Sequence, residues 1–306
     1  MRVPELARTW RPGRPVAVVP TLQALRRGGT DPAFRRPPDG SIWRATRTPD
    51  GPATLRVTGR PADGEVTGTA WGPGAAWVLD SLPAMLGADD DPVGFAPDHP
   101  VLAAAWRRFG GWRVPRTGLV LESLVPAVLE QKVTGTEARQ AWATLLRWHG
   151  EPAPGPAPAG MRVPPSAAVW RAVPSWDWHR AGVDSARSRA VVSAATVARR
   201  LEEASALPRA EALARLRTVP GVGVWTAAET AQRALGDADA VSVGDYHLAA
   251  FVGWALTGER TDDAGMLTLL EPYRGHRYRA VRMLELHVPP QPRRGPRAVP
   301  RDYRAM

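Results

Sequence analysis

The sequence contains no cysteine, and only one of its 40 basic residues, Lys132, is a lysine. The absence of cysteine excludes disulfides, thiol nucleophiles and cysteine-ligated metal or iron–sulfur clusters. The single lysine leaves one ε-amino group in the chain for chemistry that needs a side-chain amine. No run of about 18 apolar residues is present, which argues against a transmembrane helix.

Other absences bear on location and cofactors. The start of the chain, Met-Arg-Val-Pro-Glu, has no apolar stretch of the kind found in secretory leaders, so a cytoplasmic protein without a membrane partner is expected. His247 and His276 have no second histidine or acid at a metal-ligand spacing, so no metal and no other cofactor is predicted. The length of 306 residues is typical of about two domains, and a monomer is expected.

Positive charge is concentrated at the two ends of the sequence. Residues 1–60 hold 12 Arg against 4 acids, residues 271–306 hold 9 Arg against 3, and residues 61–105 hold 7 acids and no base. With a net charge of +10, this distribution favours a polyanionic partner such as a nucleic acid. Biased codon usage is the alternative explanation for the arginine excess.

The N-terminal third has the pattern of a β-sheet. Apolar and polar residues alternate over residues 16–20, 42–47, 54–58 and 65–69, and Pro, Gly and Asp separate these runs. Helices are predicted near residues 21–27 and 75–86. Residues 1–98 are therefore expected to form an α+β domain, an antiparallel sheet with flanking helices.

From residue 99 onward the periodicity is helical. A helix with one apolar side is predicted over residues 119–131, and a second over 137–148, capped by Thr136. Further helices are predicted at 166–173, 184–204 and 208–217, whereas the Pro/Ala/Gly-rich residues 151–165 indicate a surface loop. Residues 99–288 are expected to form an all-helical domain, followed by a disordered, basic, Pro-rich tail over residues 289–306.

The rest of the chain is organised around residues 216–256. Pro-Gly-Val-Gly at 220–223 cannot continue a helix, so a tight turn should join the helix before it to a second helix over about 225–235. The amides of the two glycines and the new helix N-terminus would then form an anion site. The alternative is a plain interhelical turn.

An acid follows this turn at a fixed distance. Asp245 lies 22 residues beyond Gly223, at the predicted N-terminus of a helix that begins near Tyr246. The stripe that marks this helix consists of Leu248, Phe251, Val252, Ala255 and Leu256. An ordinary capping role is the alternative explanation for Asp245, and the two roles are compatible.

These two stretches carry a resemblance to a known family. Val-Pro-Gly-Val-Gly-Val-Trp-Thr-Ala (219–227), with Val-Gly-Asp-Tyr (243–246), resembles the helix-hairpin-helix DNA glycosylases, and most of all the bacterial 3-methyladenine DNA glycosylase II branch. The resemblance extends more weakly to about residue 288. It implies a helix-hairpin-helix glycosylase fold for the helical domain, in a branch without an iron–sulfur cluster.

The resemblance also implies roles for particular residues. Asp245 would be catalytic, and Trp225 and Glu229 would line the base pocket, although the family often has a second aromatic residue at the latter position. The residues implied to bind DNA are Gln131, Lys132, Gly221, Val222, Gly223 and Thr226. An apolar wedge is usual at the position of Lys132, so a phosphate contact is the alternative for that side chain.

The implied function is that of a monofunctional DNA glycosylase in base excision repair. It would flip alkylated, 3-methyladenine-type bases out of damaged double-stranded DNA and hydrolyse their N-glycosidic bond with the help of Asp245. Strand-cutting relatives carry a lysine two residues after the second hairpin glycine, where this chain has Trp225. The alternatives are a non-catalytic helix-hairpin-helix DNA-binding protein, or a glycosylase of the same scaffold for deaminated or oxidised bases.

Overall fold

The computed structural model describes residues 4–60 and 64–289. The predicted tail at 289–306 lies outside these residues, apart from Pro289. Across the described part of the chain, no helix is both long and apolar enough to cross a membrane.

The N-terminal part contains an antiparallel sheet, as predicted, and this sheet has five strands. Its strands are β1 (Glu5–Trp10), β2 (Phe34–Arg35), β3 (Ile42–Thr48), β4 (Gly51–Arg60) and β5 (Glu65–Trp71). They are arranged in the order β1-β5-β4-β3-β2, and every neighbouring pair is antiparallel. The apolar face of the sheet packs against the helices that follow it, with Leu55, Val57 and Leu82 in the shared core.

Several details of this part differ from the prediction, which did not include strands β1 and β2. Residues 16–20 are not a strand, because helix α1 (Val18–Gln23) begins among them. Pro20 is tolerated there because the N–H groups of a helix's first turn have no partner within the helix. The single helix predicted at 75–86 is two, α2 (Ala75–Asp80) and α3 (Leu82–Met85), since Pro83 lacks the N–H that would continue the first.

The remainder is helical, as predicted, with one small exception. The helices are α4 (Pro100–Phe109), α5 (Val120–Leu129), α6 (Gly135–His149), α7 (Ala167–Ala172), α8 (Ser175–Arg180), α9 (Ser185–Thr196), α10 (Ala198–Glu202), α11 (Arg209–Arg217), α12 (Val224–Ala234), α13 (Leu248–Thr257), α14 (Asp263–Leu270) and α15 (Arg277–His287). The exception is a short hairpin of β6 (Glu151–Pro152) and β7 (Arg162–Val163).

This hairpin corrects the prediction of a plain surface loop at 151–165. Met161 and Val163 are buried in one cluster with Trp43 and Trp71, whose rings stack with centroids 5.4 Å apart. The segment therefore covers the outer face of the sheet. The predicted cap of α6 is also wrong by two residues: Thr134, not Thr136, caps the helix, in a reciprocal capping box with Glu137.

Helix α5 lies at the centre of the molecule. Nine of its ten residues are buried, and it packs against α6, α9 and α12 in the largest apolar core. Its N-terminus is capped from a distance by Glu202, whose carboxylate accepts the amides of Val120 and Leu121 at 2.8 and 2.9 Å. A second helical core is formed by α4, α13, α14 and α15.

A buried carboxylate links these two helical groups. Asp239 accepts hydrogen bonds from Arg209 of α11 and from Arg277 of α15, at 2.6–2.7 Å from their guanidinium nitrogens. Burial raises the pKa of Asp239, but the hydrogen bonds from Arg277 and Arg209 outweigh it and lower the pKa to about 2. The ionised carboxylate is thus the form that the folded state stabilises.

Replacing this carboxylate should destabilise the fold in a pH-dependent way. Because the folded pKa is depressed, its contribution is complete above the ordinary value of 3.8 and is lost as pH falls towards 2. Asp239→Asn should therefore cost about 2 kcal/mol or more of unfolding free energy at pH 7, and clearly less near pH 3. Urea denaturation at both pH values measures this. Glu271→Gln, which removes an exposed pair with Arg274, serves as the control and should cost less than about 0.5 kcal/mol.

Candidate active site

The turn between α11 and α12 depends on one of its two glycines. Gly221 has φ +87°, and a Cβ added there would lie 2.9 Å from the Cβ of Ala190 on α9. Gly223 has ordinary backbone angles and nothing within 4 Å of its Cβ position, so it faces open space. Gly221 thus fixes the turn against α9, and Gly223 leaves the surface clear.

The first turn of α12 is where the sequence predicts an anion site. Gly223 occupies the N-cap position, and no side chain caps the helix. The first amide N–H groups of a helix have no partner within it, and the helix dipole favours negative charge at that end. An uncapped helix start is compatible with the predicted phosphate site, which stays a prediction.

Two of the residues predicted to contact DNA are buried and make hydrogen bonds within the protein. Val222 is 6% exposed, and its N–H donates to the carbonyl of Val219 at 3.0 Å. Thr226 is 2% exposed, and its hydroxyl accepts a hydrogen bond from Gln131. The side chains of Val222 and Thr226 hold the turn together rather than face outward.

Gln131 joins the end of α5 to this turn. Its Nε2 donates to the carbonyl of Gly221 and to Oγ1 of Thr226, both at 2.8 Å. The next residue, Lys132, is exposed and has φ 54°, the one positive φ at a non-glycine residue in the described chain. A backbone held in this sparsely populated region indicates that its surroundings fix it. Lys132 is therefore presented at the surface from a defined turn.

Asp245 is held by three hydrogen-bond donors. Its Oδ1 accepts the amides of His247 and Leu248 at 2.8 and 3.0 Å, and its Oδ2 accepts the indole N–H of Trp225 at 3.1 Å. Helix α13 begins at Leu248, two residues later than predicted, yet the carboxylate still satisfies its first amides. Asp245 is half-buried, so one side of it remains open to the surface.

Glu229, predicted in the base pocket, is tied into an internal network. One carboxylate oxygen accepts the hydroxyl of Ser242, and the other pairs with Arg233 at 2.7 Å. Burial raises the pKa of Glu229, but the charge of Arg233 and the hydroxyl of Ser242 outweigh it, so the net shift is downward. Arg27, buried beside the same network, has a pKa lowered by burial and by the charge of Arg233. Glu229 is thus an ionised carboxylate with partners on both oxygens.

The chain segment leading to Asp245 is bound along α12. Gln232 donates to the carbonyl of Ala240 at 2.8 Å and to Oγ of Ser242 at 2.9 Å. Glu229 accepts from Ser242, and Trp225 donates to Asp245. Three polar side chains of one helix therefore set the course of residues 240–245. Sequence reasoning gave Ser242 and Gln232 no role, since their partners are distant from any recognisable motif.

Solved structures similar to this one are DNA glycosylases. The 3-methyladenine DNA glycosylase of Archaeoglobus fulgidus has a TM-score of 0.74 at 16% identity, over 90% of this chain and 97% of that one. The 8-oxoguanine glycosylase/lyase of Clostridium acetobutylicum has a TM-score of 0.69 at 12% identity, over 94% and 99%. A 3-methyladenine DNA glycosylase of Schizosaccharomyces pombe, solved with abasic DNA, has a TM-score of 0.51 at 18% identity, over 63% and 92%.

These similarities establish the fold. No family model and no curated protein sequence matches the chain. The structural similarity nevertheless covers both the sheet and the helices, so the expected fold, an antiparallel-sheet part followed by an all-helical part like that of these DNA glycosylases, is confirmed. The similar structures include both 3-methyladenine and 8-oxoguanine glycosylases, so they do not distinguish the expected branch.

The two glycines of the turn should respond differently to the same substitution. Gly221→Ala forces an alanine into the left-handed backbone conformation and brings its Cβ too close to Ala190. It should cost about 1–3 kcal/mol of unfolding free energy. Gly223→Ala meets neither obstacle and should cost well under about 1 kcal/mol. Chemical denaturation of the two variants measures the difference. Equal losses would show that the turn is not built on Gly221.

Proposed function

We propose that this protein is a monofunctional DNA glycosylase of base excision repair, which removes alkylated, 3-methyladenine-type bases from duplex DNA. The observation that carries the proposal is the contact between Asp245 and Trp225. It brings a carboxylate and an aromatic ring together beside the uncapped N-terminus of α12. The similar fold of a protein described as a 3-methyladenine DNA glycosylase supports it.

Duplex DNA is bound on the surface that carries Gly223 and Lys132. A backbone phosphate sits on the free amides at the start of α12, where Gly223 leaves room for its approach. Lys132 reaches the same strand, either as the group that fills the gap in the stack or as a phosphate contact. Gln131 keeps these two contacts at a fixed separation. Similarly folded proteins have been solved in complex with DNA, which supports DNA binding by this chain.

The reaction requires the target nucleotide to leave the stack. An alkylated base is already cationic and departs readily, so the group that needs stabilisation is the sugar. As the N-glycosidic bond breaks, the sugar develops positive charge, which the carboxylate of Asp245 stabilises while it orients the attacking water. The face of Trp225 attracts the cationic base.

A second substrate class is favoured by one feature of the site. Where an aromatic residue is often found, one helical turn from Trp225, this chain has Glu229, a partly exposed carboxylate. A carboxylate beside the base suits neutral bases that are read by hydrogen bonds, that is, deaminated or oxidised purines. A protein described as an 8-oxoguanine glycosylase/lyase has a similar fold. Base release from a panel of single-lesion duplexes decides between the two classes.

The proposal predicts that Asp245→Asn abolishes most of the activity without unfolding the protein. Asn can still accept the amides of His247 and Leu248 through its oxygen, and only the contact with the indole N–H of Trp225 is lost, so the melting temperature should fall only slightly. The charge opposite the developing sugar cation is lost, and single-turnover base release should fall by about two orders of magnitude or more. Binding to lesion DNA should persist.

Asp262 provides the matched control. It caps α14 through the amide of Gly265 at 2.9 Å, so Asp262→Asn makes the same chemical change at another helix start. That variant should excise bases at the parent's rate. If Asp245→Asn behaves in the same way, Asp245 is only a cap, and the non-catalytic DNA-binding protein becomes the better explanation.

The proposal also predicts that no strand cleavage accompanies base release. A lyase needs an amine that forms a Schiff base with the sugar, and Lys132 is the only lysine in the chain. Borohydride treatment of the protein on lesion DNA should give no strong covalent adduct. An adduct that disappears in Lys132→Ala would make the enzyme bifunctional and assign the amine, whereas one that persists would indicate the N-terminal amine.

A further inference from the structure

We propose that Trp225 is a positioning residue for Asp245, acting through the edge of its indole ring rather than only through its face. The inference rests on the proposed function and adds how the carboxylate of Asp245 is oriented. It starts from the hydrogen bond of 3.1 Å between Nε1 of Trp225 and Oδ2 of Asp245.

The two carboxylate oxygens of Asp245 are held by different means. Oδ1 is fixed by the amides of His247 and Leu248, which any acceptor at this position would receive. Oδ2 has the indole of Trp225 as its partner within the described residues. The two amides hold Oδ1 but leave the orientation of the carboxylate plane, and therefore the position of Oδ2, unfixed. The hydrogen bond from the indole fixes Oδ2, because a hydrogen bond to an ionised acceptor is among the stronger ones.

This contact completes a series along α12. Gln232 and Glu229 bind Ser242, and Trp225, one turn before Glu229 on the same face, binds Asp245. The inner contacts fix the course of residues 240–242 whether or not Trp225 keeps its N–H. Removing the N–H therefore releases the carboxylate and leaves the backbone that carries it in place.

The direction of the indole N–H has a stereochemical consequence. The N–H bond lies in the plane of the ring, so Oδ2 lies beside the ring edge and not over its face. A base that stacks on the face lies about 3.5–4.0 Å above that plane. When the sugar of such a base lies on the Nε1 side of the ring, it lies beside Asp245. In that orientation one side chain aligns the leaving base and the carboxylate that stabilises the sugar.

Trp225→Phe separates the two uses of the residue, because it keeps an aromatic face and removes the N–H donor. Single-turnover release of a neutral lesion base, for which attraction between a cation and the ring does not contribute, should slow by about tenfold or more. The dissociation constant for the lesion duplex should stay within about twofold of the parent's value, because the oriented carboxylate of Asp245 stabilises the transition state and not the bound substrate. In an Asp245→Asn background, Trp225→Phe should cause no further loss.

Trp176 offers the matched control. It is 65% exposed on α8, and Trp176→Phe should leave the excision rate unchanged. A Trp225→Phe variant that excises at the parent's rate would overturn the inference. Equal losses in the parent and Asp245→Asn backgrounds would also overturn it, because Trp225 would then act independently of the carboxylate.

A second measurement does not depend on catalysis. The indole N–H resonance of Trp225, assigned by its absence in Trp225→Phe, should shift and exchange faster with solvent in Asp245→Ala. An unchanged resonance would disprove the contact. If the parent releases no base from any lesion, the proposed function fails, and this resonance still decides whether Trp225 holds Asp245.

Discussion

Gly221 can adopt its left-handed backbone against α9 only because it has no Cβ, which would lie 2.9 Å from that of Ala190. This close approach sets the direction in which α12 leaves the turn, and therefore where the helix N-terminus points. Gln131 binds the carbonyl of the same glycine, so the end of α5 is placed by the same contact. Lys132 follows from α5, and Trp225 follows from α12. The uncapped start of α12, the exposed Lys132 and the tryptophan that binds Asp245 are thus all positioned by one backbone contact.

The sequence predicts the parts of this arrangement that depend on local chemistry. The helical periodicity before and after the turn, the glycines that break it and the distance to Asp245 follow from residue types and spacing. The errors have physical causes. Residues 16–20 are rich in β-branched valine, yet packing makes a helix of Val18–Gln23. Strand β1 is exposed on both faces at the edge of the sheet, so no apolar alternation marks it.

The contacts of Glu229 show what the spacing of residues in the sequence can and cannot predict. Position 229 lies one turn after Trp225, so its place on the helix was predictable, and so was a pair with Arg233 four residues on. The contact with Ser242 was not, because it depends on how the chain returns after α12. The side chains of Val222 and Thr226 are likewise buried within the turn, although both residues lie inside the motif. A motif identifies a region of the fold, while hydrogen-bond partners decide what each residue in it does.

Some of the excess arginines stabilise the fold, and the net charge alone does not reveal this role. Arg187 is 3% exposed and donates to Asp184 and to the carbonyls of Leu129 and Gly182, which anchors the C-terminus of α5 just before Gln131. Arg279, fully buried, binds both oxygens of Asp90 and so ties α15 to the segment before α4. These roles use several donors of one planar guanidinium, which an ammonium group cannot reproduce. Some of the arginines therefore serve as buried hydrogen-bond donors to backbone carbonyls and carboxylates. Only the exposed arginines are available to bind a polyanion.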